Sequence, residues 1–395
     1  MGPLETPLEI ASCRLYDVSV PLVEPFAISG GTLRTRRSLI VELTDAGGLA
    51  GYGESAPFEE PFYSEETRYS CAGCILRTLF PRLAGQTFAS LDAAVAAATR
   101  GVRGNRMARA GVETALWDLV SAKSGTPLRL LLREAMERHG VPEEFRATQS
   151  YVESGAALGI PADGKAETLA RQAVEAIGRG YRRVKLKVRP GWDVAPVQAV
   201  RGAAHAAGLK VRVWADANGA YTPERDFEAL QALDRERLVM IEQPLAPEDV
   251  RGVIGLTHAL MTPICLDESL TDDHAAQLFL DGEGPRVWNL KVQRVGGLME
   301  CVRIYRRAVD AGVRLWAGSM PETGVGMHAV LCLASFNGFV YPSDAAPSER
   351  WYPEGADLVE WKMDAEGRMT ASDTAGLWKV GVKERLEAVG KLVGG

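Results

Sequence analysis

The 395-residue sequence predicts an α/β protein. The expected architecture is a (β/α)7-8 TIM-like barrel behind an N-terminal α+β capping domain, with a C-terminal tail packing back on the cap. Three observations lead there. Short apolar segments alternate with amphipathic helical stretches from about residue 146 onward. The region before them reads as a run of strands and then a run of helices. Charged residues recur at the ends of successive apolar segments, where such a barrel carries its chemistry.

Residues 1–125 form the expected cap. Cys13 to Val20 and Arg37 to Asp45 are rich in Val, Leu and Ile, with Gly30-Gly31 and Gly47-Gly48 as turns. Gly51-Tyr-Gly-Glu-Ser continues the meander, and a loop runs from Ala56 to Ser64. The period then changes to helical over Glu66 to Leu83, Leu91 to Thr99 and Arg106 to Gly125.

Residues 126–350 carry the barrel pattern. Expected strands are Arg146–Val152, Arg183–Val188, Val211–Asp216, Val239–Glu242, Ile264–Asp267, Val287–Lys291 and Val313–Ala317, with Phe336–Val340 a weaker eighth. Helices are expected over Lys165–Arg179, Trp192–Ala207, Thr222–Leu233, Pro247–Leu260, Asp272–Asp281 and Leu298–Ala311. An open doubly wound sheet is the competing arrangement, but no Gly-x-Gly-x-x-Gly follows the first strand. In the tail, residues 351–395, Leu358–Met363 and Arg368-Met-Thr around Gly367 suggest a hairpin.

Composition excludes several classes. Net charge is −6 with acids and bases intermixed, so no basic tract points to nucleic acid. No apolar run approaches the roughly 18 residues of a membrane span. The start lacks the charged and apolar regions of a signal peptide, and a cytoplasmic location is expected. Six scattered cysteines suit reduced thiols, and the Cys71-x-x-Cys74 pair has no second pair to complete a metal site.

Tyr181-Arg-Arg-Val-Lys-Leu-Lys-Val188 places Lys185 and Lys187 on one face of a strand. Like charges side by side repel, so either that face is exposed or negative charge lies opposite. Asp216, Glu242 and Asp267 end the next three strands at intervals of 26 and 25 residues, about one strand–helix unit each, which predicts convergence at a similar height. One such acid alone would more commonly cap a helix. Three in register, flanked by Lys185 and Lys187 and by Lys291 from the opposite side, fit a divalent cation, Mg²⁺ or Mn²⁺, held by hard oxygen ligands. A metal with a base on each flank suits removal of a proton next to a small-molecule carboxylate. Lys185 would be the neighbouring cation that lowers Lys187 toward neutrality.

Lys185-Leu-Lys187, Asp216-Ala-Asn218, Glu242-Gln-Pro244, Asp267-Glu268 and Asn289-Leu-Lys291 together resemble the enolase superfamily, in its muconate-lactonizing-enzyme subgroup. The resemblance implies Asp216, Glu242 and Asp267 as Mg²⁺ ligands, Lys187 and Lys291 as acid/base residues, and an enediolate intermediate. It implies a supporting role for Glu268, helping to position Lys291, and for Asn218. His328 is read as structural, because a strand-six lysine marks this subgroup. Gly318-Ser-Met-Pro-Glu322-Thr-Gly-Val-Gly326 is similar to a segment of o-succinylbenzoate synthases and N-succinylamino acid racemases, which makes Ser319, Met320 and Glu322 candidate pocket residues. Phe26 and Tyr63 are candidate lid contacts. Muconate-type cycloisomerases and dipeptide epimerases share the machinery; the latter typically carry Asp-x-Asp where this chain has Tyr341-Pro-Ser-Asp344. A catalytically silent metal-binding homologue would need no opposed lysines. Relatives of this kind often form homo-oligomers.

Overall fold

The computed structural model describes residues 2–28 and 31–395. Its strands, in chain order, are β1 (Leu8–Ile28), β2 (Gly31–Asp45), β3 (Ala50–Ser55), β4 (Gln86–Phe88), β5 (Tyr151–Glu153), β6 (Ala156–Leu158) and β7 (Val184–Lys187). They continue with β8 (Val213–Asp216), β9 (Ile241–Glu242), β10 (Ile264–Leu266), β11 (Val287–Leu290), β12 (Arg314–Ala317), β13 (Arg368–Thr370) and β14 (Gly390–Gly394).

The cap is a five-stranded antiparallel sheet in the order β14-β1-β2-β3, with β4 also on β1. The first two strands run further than the apolar runs alone indicate, and the expected Gly30 turn position lies outside the described residues. Alternation sorts the side chains of β2. Leu39, Val41 and Leu43 face the helical core of the cap, while Ile40 faces a second core with Val325, Trp351 and Leu358. The helix Arg106–Ser124 lies directly on β3. Glycine permits that approach: a Cβ on Gly53 would fall 2.2 Å from the Gly111 carbonyl oxygen, and one on Gly51 2.4 Å from that of Ala115.

Seven parallel strands form the second sheet, in the order β12-β11-β10-β9-β8-β7-β6. Helices Ala166–Gly178, Val194–Ala206, Pro223–Arg235, Val250–Ala259, Asp273–Asp281 and Leu298–Asp310 connect them, close to the expected spans. Two expectations fail at the seam. The first parallel strand is β6, not Arg146–Val152; Glu143–Arg146 is a helical turn and β5 pairs antiparallel with β13. Ala-Ala-Leu has weak intrinsic strand preference, and only its pairing with β7 makes it a strand. Phe336–Val340 is not a regular eighth strand. Isolated bridges Leu315–Phe339 and Ser154–Ser343 lay residues 339–343 along the two edges, so the seven-stranded sheet is barrel-like rather than regularly closed. Within the run the Gly338 N–H donates to the Tyr305 hydroxyl, and Pro342 just beyond it has no N–H to extend a ladder.

The tail serves both sheets. The expected hairpin reduces to an isolated Met363–Met369 bridge, because the ladder partner of β13 is β5. The chain then returns to the cap, where β14 pairs with β1. Buried Asp118 joins the parts: its carboxylate accepts from Tyr52 N at 2.9 Å and from Leu377 N at 3.0 Å.

Candidate active site

Parallel register sets the site. Lys187 stands opposite Asp216, and Asp216 opposite Glu242. Glu242 stands opposite Cys265, so Asp267 lies two residues further on, past the end of β10 but on the same face. The equal spacing in sequence therefore predicts convergence correctly but not equal height. One oxygen from each of Asp216, Glu242 and Asp267 still lies within 4.8 Å of the others, and all three side chains are buried.

Lys185 and Lys187 are buried and face these acids. Lys185 Nζ lies 2.8 Å from Asp344 Oδ2, 3.2 Å from Asp216 Oδ2 and 3.2 Å from Glu242 Oε2. Lys187 Nζ donates to Asp216 Oδ2 and to Asn218 Oδ1, both at 2.6 Å. On the other flank Lys291 Nζ donates to Asp267 Oδ2 at 2.9 Å, and Arg294 also pairs with Asp267. Asn289 Nδ2 fixes Glu242 by donating to Oε1 at 2.8 Å.

Residues 168–378 match the family model described as enolase C-terminal domain-like. Residues 10–132 match that of the mandelate racemase/muconate lactonizing enzyme N-terminal domain. The chain belongs to the enolase superfamily. An o-succinylbenzoate synthase of Geobacillus kaustophilus is 37% identical over 86% of this chain and 84% of its own length. An N-succinylamino acid racemase of Thermus thermophilus is 35% identical over 94% of each. The crystal structure of an unknown member of the enolase superfamily from Enterococcus faecalis superposes with a TM-score of 0.84 at 33% identity, covering 98% of this chain and 99% of that one.

In this enolase-superfamily chain the triad is suited to a hard divalent cation. Its donors are all carboxylate oxygens, with no His or Cys in the group. Glu242 Oε2 lies near Lys185 but out of line for a hydrogen bond, so this buried oxygen has no donor. A buried anion without a donor is costly and fits a cation ligand.

The electrostatics follow from burial and pairing. Burial, then the neighbouring Asp216, raises Glu242 well above the usual carboxylate range. Burial also acts upward on Asp267, but Lys291 and Arg294 outweigh it and hold the group low. Burial opposes charge on Lys185 and Lys291, yet the facing carboxylates raise both above the usual lysine range. Two residues beside the triad adopt left-handed backbone, Asn218 at φ +44° and Gln243 at φ +36°, an arrangement that costs energy and clusters at functional sites.

Phe26, Tyr63, Lys185, Lys187, Asn218, Lys291, Ser319 and Met320 line one cleft of about 680 Å³, its open mouth included. Phe26 and Tyr63 reach it from the cap, at the end of β1 and in the loop after β3. Glu322 does not line it. Its carboxylate turns back to accept from Met320 N at 2.6 Å, and burial beside Glu54 pushes it up to about 7. It shapes the 318–322 loop instead. Glu268 makes no hydrogen bond to Lys291; it accepts from Asn218 Nδ2 at 2.8 Å, on the Lys187 side. Burial, then Asp267, pushes Glu268 up to about 7. His328 is buried against Trp361 with ring centroids 5.9 Å apart, and burial lowers it to about 4, a packing role. The six cysteines are all free; Cys71 is buried and hydrogen-bonds to Glu66 at 3.3 Å.

Sequence reasoning missed the partners that hold the lysines. Asp344 bridges Lys185 and Arg183, and Arg183 stacks on Trp214 with 4.2 Å from guanidinium carbon to ring centroid. Asp344 is 159 residues from Lys185, and no local pattern joins them. Arg294, three residues after Lys291, carried a readable signal: a base one helical turn on, beside a lysine at a strand end.

Proposed function

We propose that the chain removes the proton α to a substrate carboxylate, as an o-succinylbenzoate synthase, an N-succinylamino acid racemase or both. The observation that carries this reading is the placement of Lys187 and Lys291 on opposite flanks of the triad, one held to Asp216 and the other to Asp267. Asp216, Glu242 and Asp267 would hold Mg²⁺, or Mn²⁺. When bound, that ion would take the substrate carboxylate oxygens and offset the enediolate charge that develops. Lys187 and Lys291 would then face the α-carbon from its two sides. For racemisation one lysine takes the proton and the other returns one to the opposite face. For syn dehydration one lysine takes the proton and delivers it to the departing hydroxide. Lys185 stays charged between Asp216, Glu242 and Asp344, and Phe26 and Tyr63 line the cleft from the cap side.

A dipeptide epimerase is the second reading. Asp344 is the one acid of its segment, and it is already occupied by Arg183 and Lys185, which leaves it unsuited to a substrate ammonium. We further propose a cap over residues 1–125, a barrel over 126–350, a tail over 351–395, a cytoplasmic location and a homo-oligomer. Among the described residues, no helix is long and apolar enough to cross a membrane.

The test is twofold. N-succinylated amino acids are incubated with the Mg²⁺-loaded protein in heavy water, and the cyclohexadiene precursor of o-succinylbenzoate is assayed for dehydration. Deuterium at the α-carbon or loss of hydroxide supports the reading; neither, with dipeptides exchanging instead, moves the chain to the epimerases.

A further inference from the structure

Four cationic side chains line the cleft: Lys185, Lys187, Lys291 and Arg350. The three lysines are each paired with a buried carboxylate. Arg350 is not. Among the described residues it has no carboxylate partner, and its one hydrogen bond is long, 3.5 Å to the Ala157 carbonyl. A guanidinium offers five N–H donors in a planar fork, so most of its donors are unspent.

Arg350 is nonetheless held in place. Its guanidinium carbon lies 4.9 Å from the centroid of the Trp351 ring, and buried Trp351 packs edge-on against Phe26 with centroids 5.0 Å apart. The Ala157 contact ties it to β6, a strand of the same rim. Tyr181 lines the same cleft, and among the described residues its hydroxyl makes no hydrogen bond within the protein. Phe26, Tyr181, Arg350 and Trp351 also line a wider adjoining groove, so Arg350 stands where the cleft opens outward. The cleft's remaining walls include Gly155, Ala156 and Ala157, which bring no charge.

A half-buried cation without a counter-charge, among lysines already neutralised, is a receptor for an anion. We propose that Arg350 binds a second carboxylate of the substrate, remote from the one at the triad, and that Tyr181 assists by donating its hydroxyl. The cleft then selects dicarboxylates over monocarboxylates of similar shape. This rests on the proposed acid/base reading, which sets the first carboxylate at the triad. The planar fork suits a carboxylate bidentately, which a lysine at this position would not reproduce. A purely structural Arg350, stiffening the 348–351 turn against Trp351, would affect every substrate alike.

The experiment compares N-succinylphenylalanine, with two carboxylates, and N-acetylphenylalanine, with one. Mg²⁺-loaded wild type, Arg350→Met and Arg350→Lys are assayed for α-proton exchange, and binding of each compound is measured by calorimetry. The expected result is that Arg350→Met lowers the succinyl-to-acetyl ratio of kcat/KM by about 10- to 100-fold, mainly through KM, with partial recovery in Arg350→Lys. Equal losses on both compounds, or no loss on either, overturn the assignment. Absence of exchange in wild type would remove racemisation from the proposed function and leave the dehydration assay to decide the reaction. Calorimetry then decides Arg350 separately: a succinyl preference that disappears in Arg350→Met supports it, and an unchanged preference or none overturns it.

Discussion

The Tyr63 hydroxyl lies 3.1 Å from Lys291 Nζ and donates to Asp267 Oδ1 at 3.1 Å. A residue of the cap thus completes one flank of a site built on the barrel-like sheet, while on the other flank Lys187 pairs with Asp216 on β8 and with Asn218 just past its end. Tyr63→Phe therefore weakens one flank selectively. Exchange of the enantiomer that depends on Lys291 falls by about 10-fold, the scale of one hydrogen bond to a charged group. Exchange of the other falls much less. Equal effects on both enantiomers would show that Tyr63 acts only by closing the cap.

In the proposed reaction the two lysines serve opposite faces of the α-carbon. Lys187→Ala abolishes exchange of one N-succinylamino acid enantiomer and Lys291→Ala that of the other, each by about 10²- to 10⁴-fold, the usual range for a positioned acid or base. Deuterium uptake followed by NMR on the separate enantiomers checks this. Undiminished exchange of both enantiomers in either variant removes that lysine from the mechanism.

Glu242 carries the buried oxygen without a donor. Saturating Mg²⁺ is expected to raise the wild-type melting temperature by roughly 5 °C. The rise disappears in Glu242→Gln and on addition of EDTA. Without metal the variant is at least as stable as wild type, because burial and Asp216 already disfavour a charge at this position and the amide carries none. Differential scanning calorimetry with and without Mg²⁺ reads both effects.

Gly318 leaves room for the Lys291 flank. A Cβ there would lie 2.2 Å from Asn289 Oδ1 and 2.6 Å from Lys291 Cε. Gly318→Ala displaces both the side chain that fixes Glu242 and the Lys291 amine. Displacement on the order of 1 Å costs about 10²-fold in kcat. A retained circular-dichroism spectrum and melting temperature would localise the loss to the site; full activity would mean the loop yields freely.

Asp118 ties strand, helix and tail far from the chemistry. Burial pushes its carboxyl up to about 7, against the Tyr52 and Leu377 backbone donors. The folded protein holds this proton more tightly than the unfolded chain, where such a group titrates near 3.9. Its contribution to stability is thus present in full below about pH 4 and is lost as pH rises through about 7. Asp118→Asn has no such titration and offers one acceptor where two backbone donors point, so it is less stable by roughly 1–3 kcal/mol in the acid range. The deficit narrows between about pH 4 and 7. Urea unfolding at stepped pH checks the sign, and a deficit that widens over that range contradicts it.

Local pattern was enough for several elements. The helices between strands, the strands carrying Lys185–Lys187 and Val213–Asp216, and the convergence of Asp216, Glu242 and Asp267 all follow from period and spacing. Each needs only alternation along a strand and a repeating strand–helix length, both properties of contiguous chain. What joins remote segments was not legible. β6 is a strand only because β7 pairs with it, and the Phe336–Val340 run makes only isolated bridges, the Gly338 N–H going to the Tyr305 hydroxyl instead of a neighbouring strand. Asp344 on Lys185, Tyr63 on Lys291 and Glu322 turned away from the cleft are likewise settled by packing. The sequence by itself determined which side chains could do chemistry and the face of the sheet that carries them. Only the tertiary structure decided their heights and partners, because register between strands and the energy of a buried charge depend on neighbours distant in the chain.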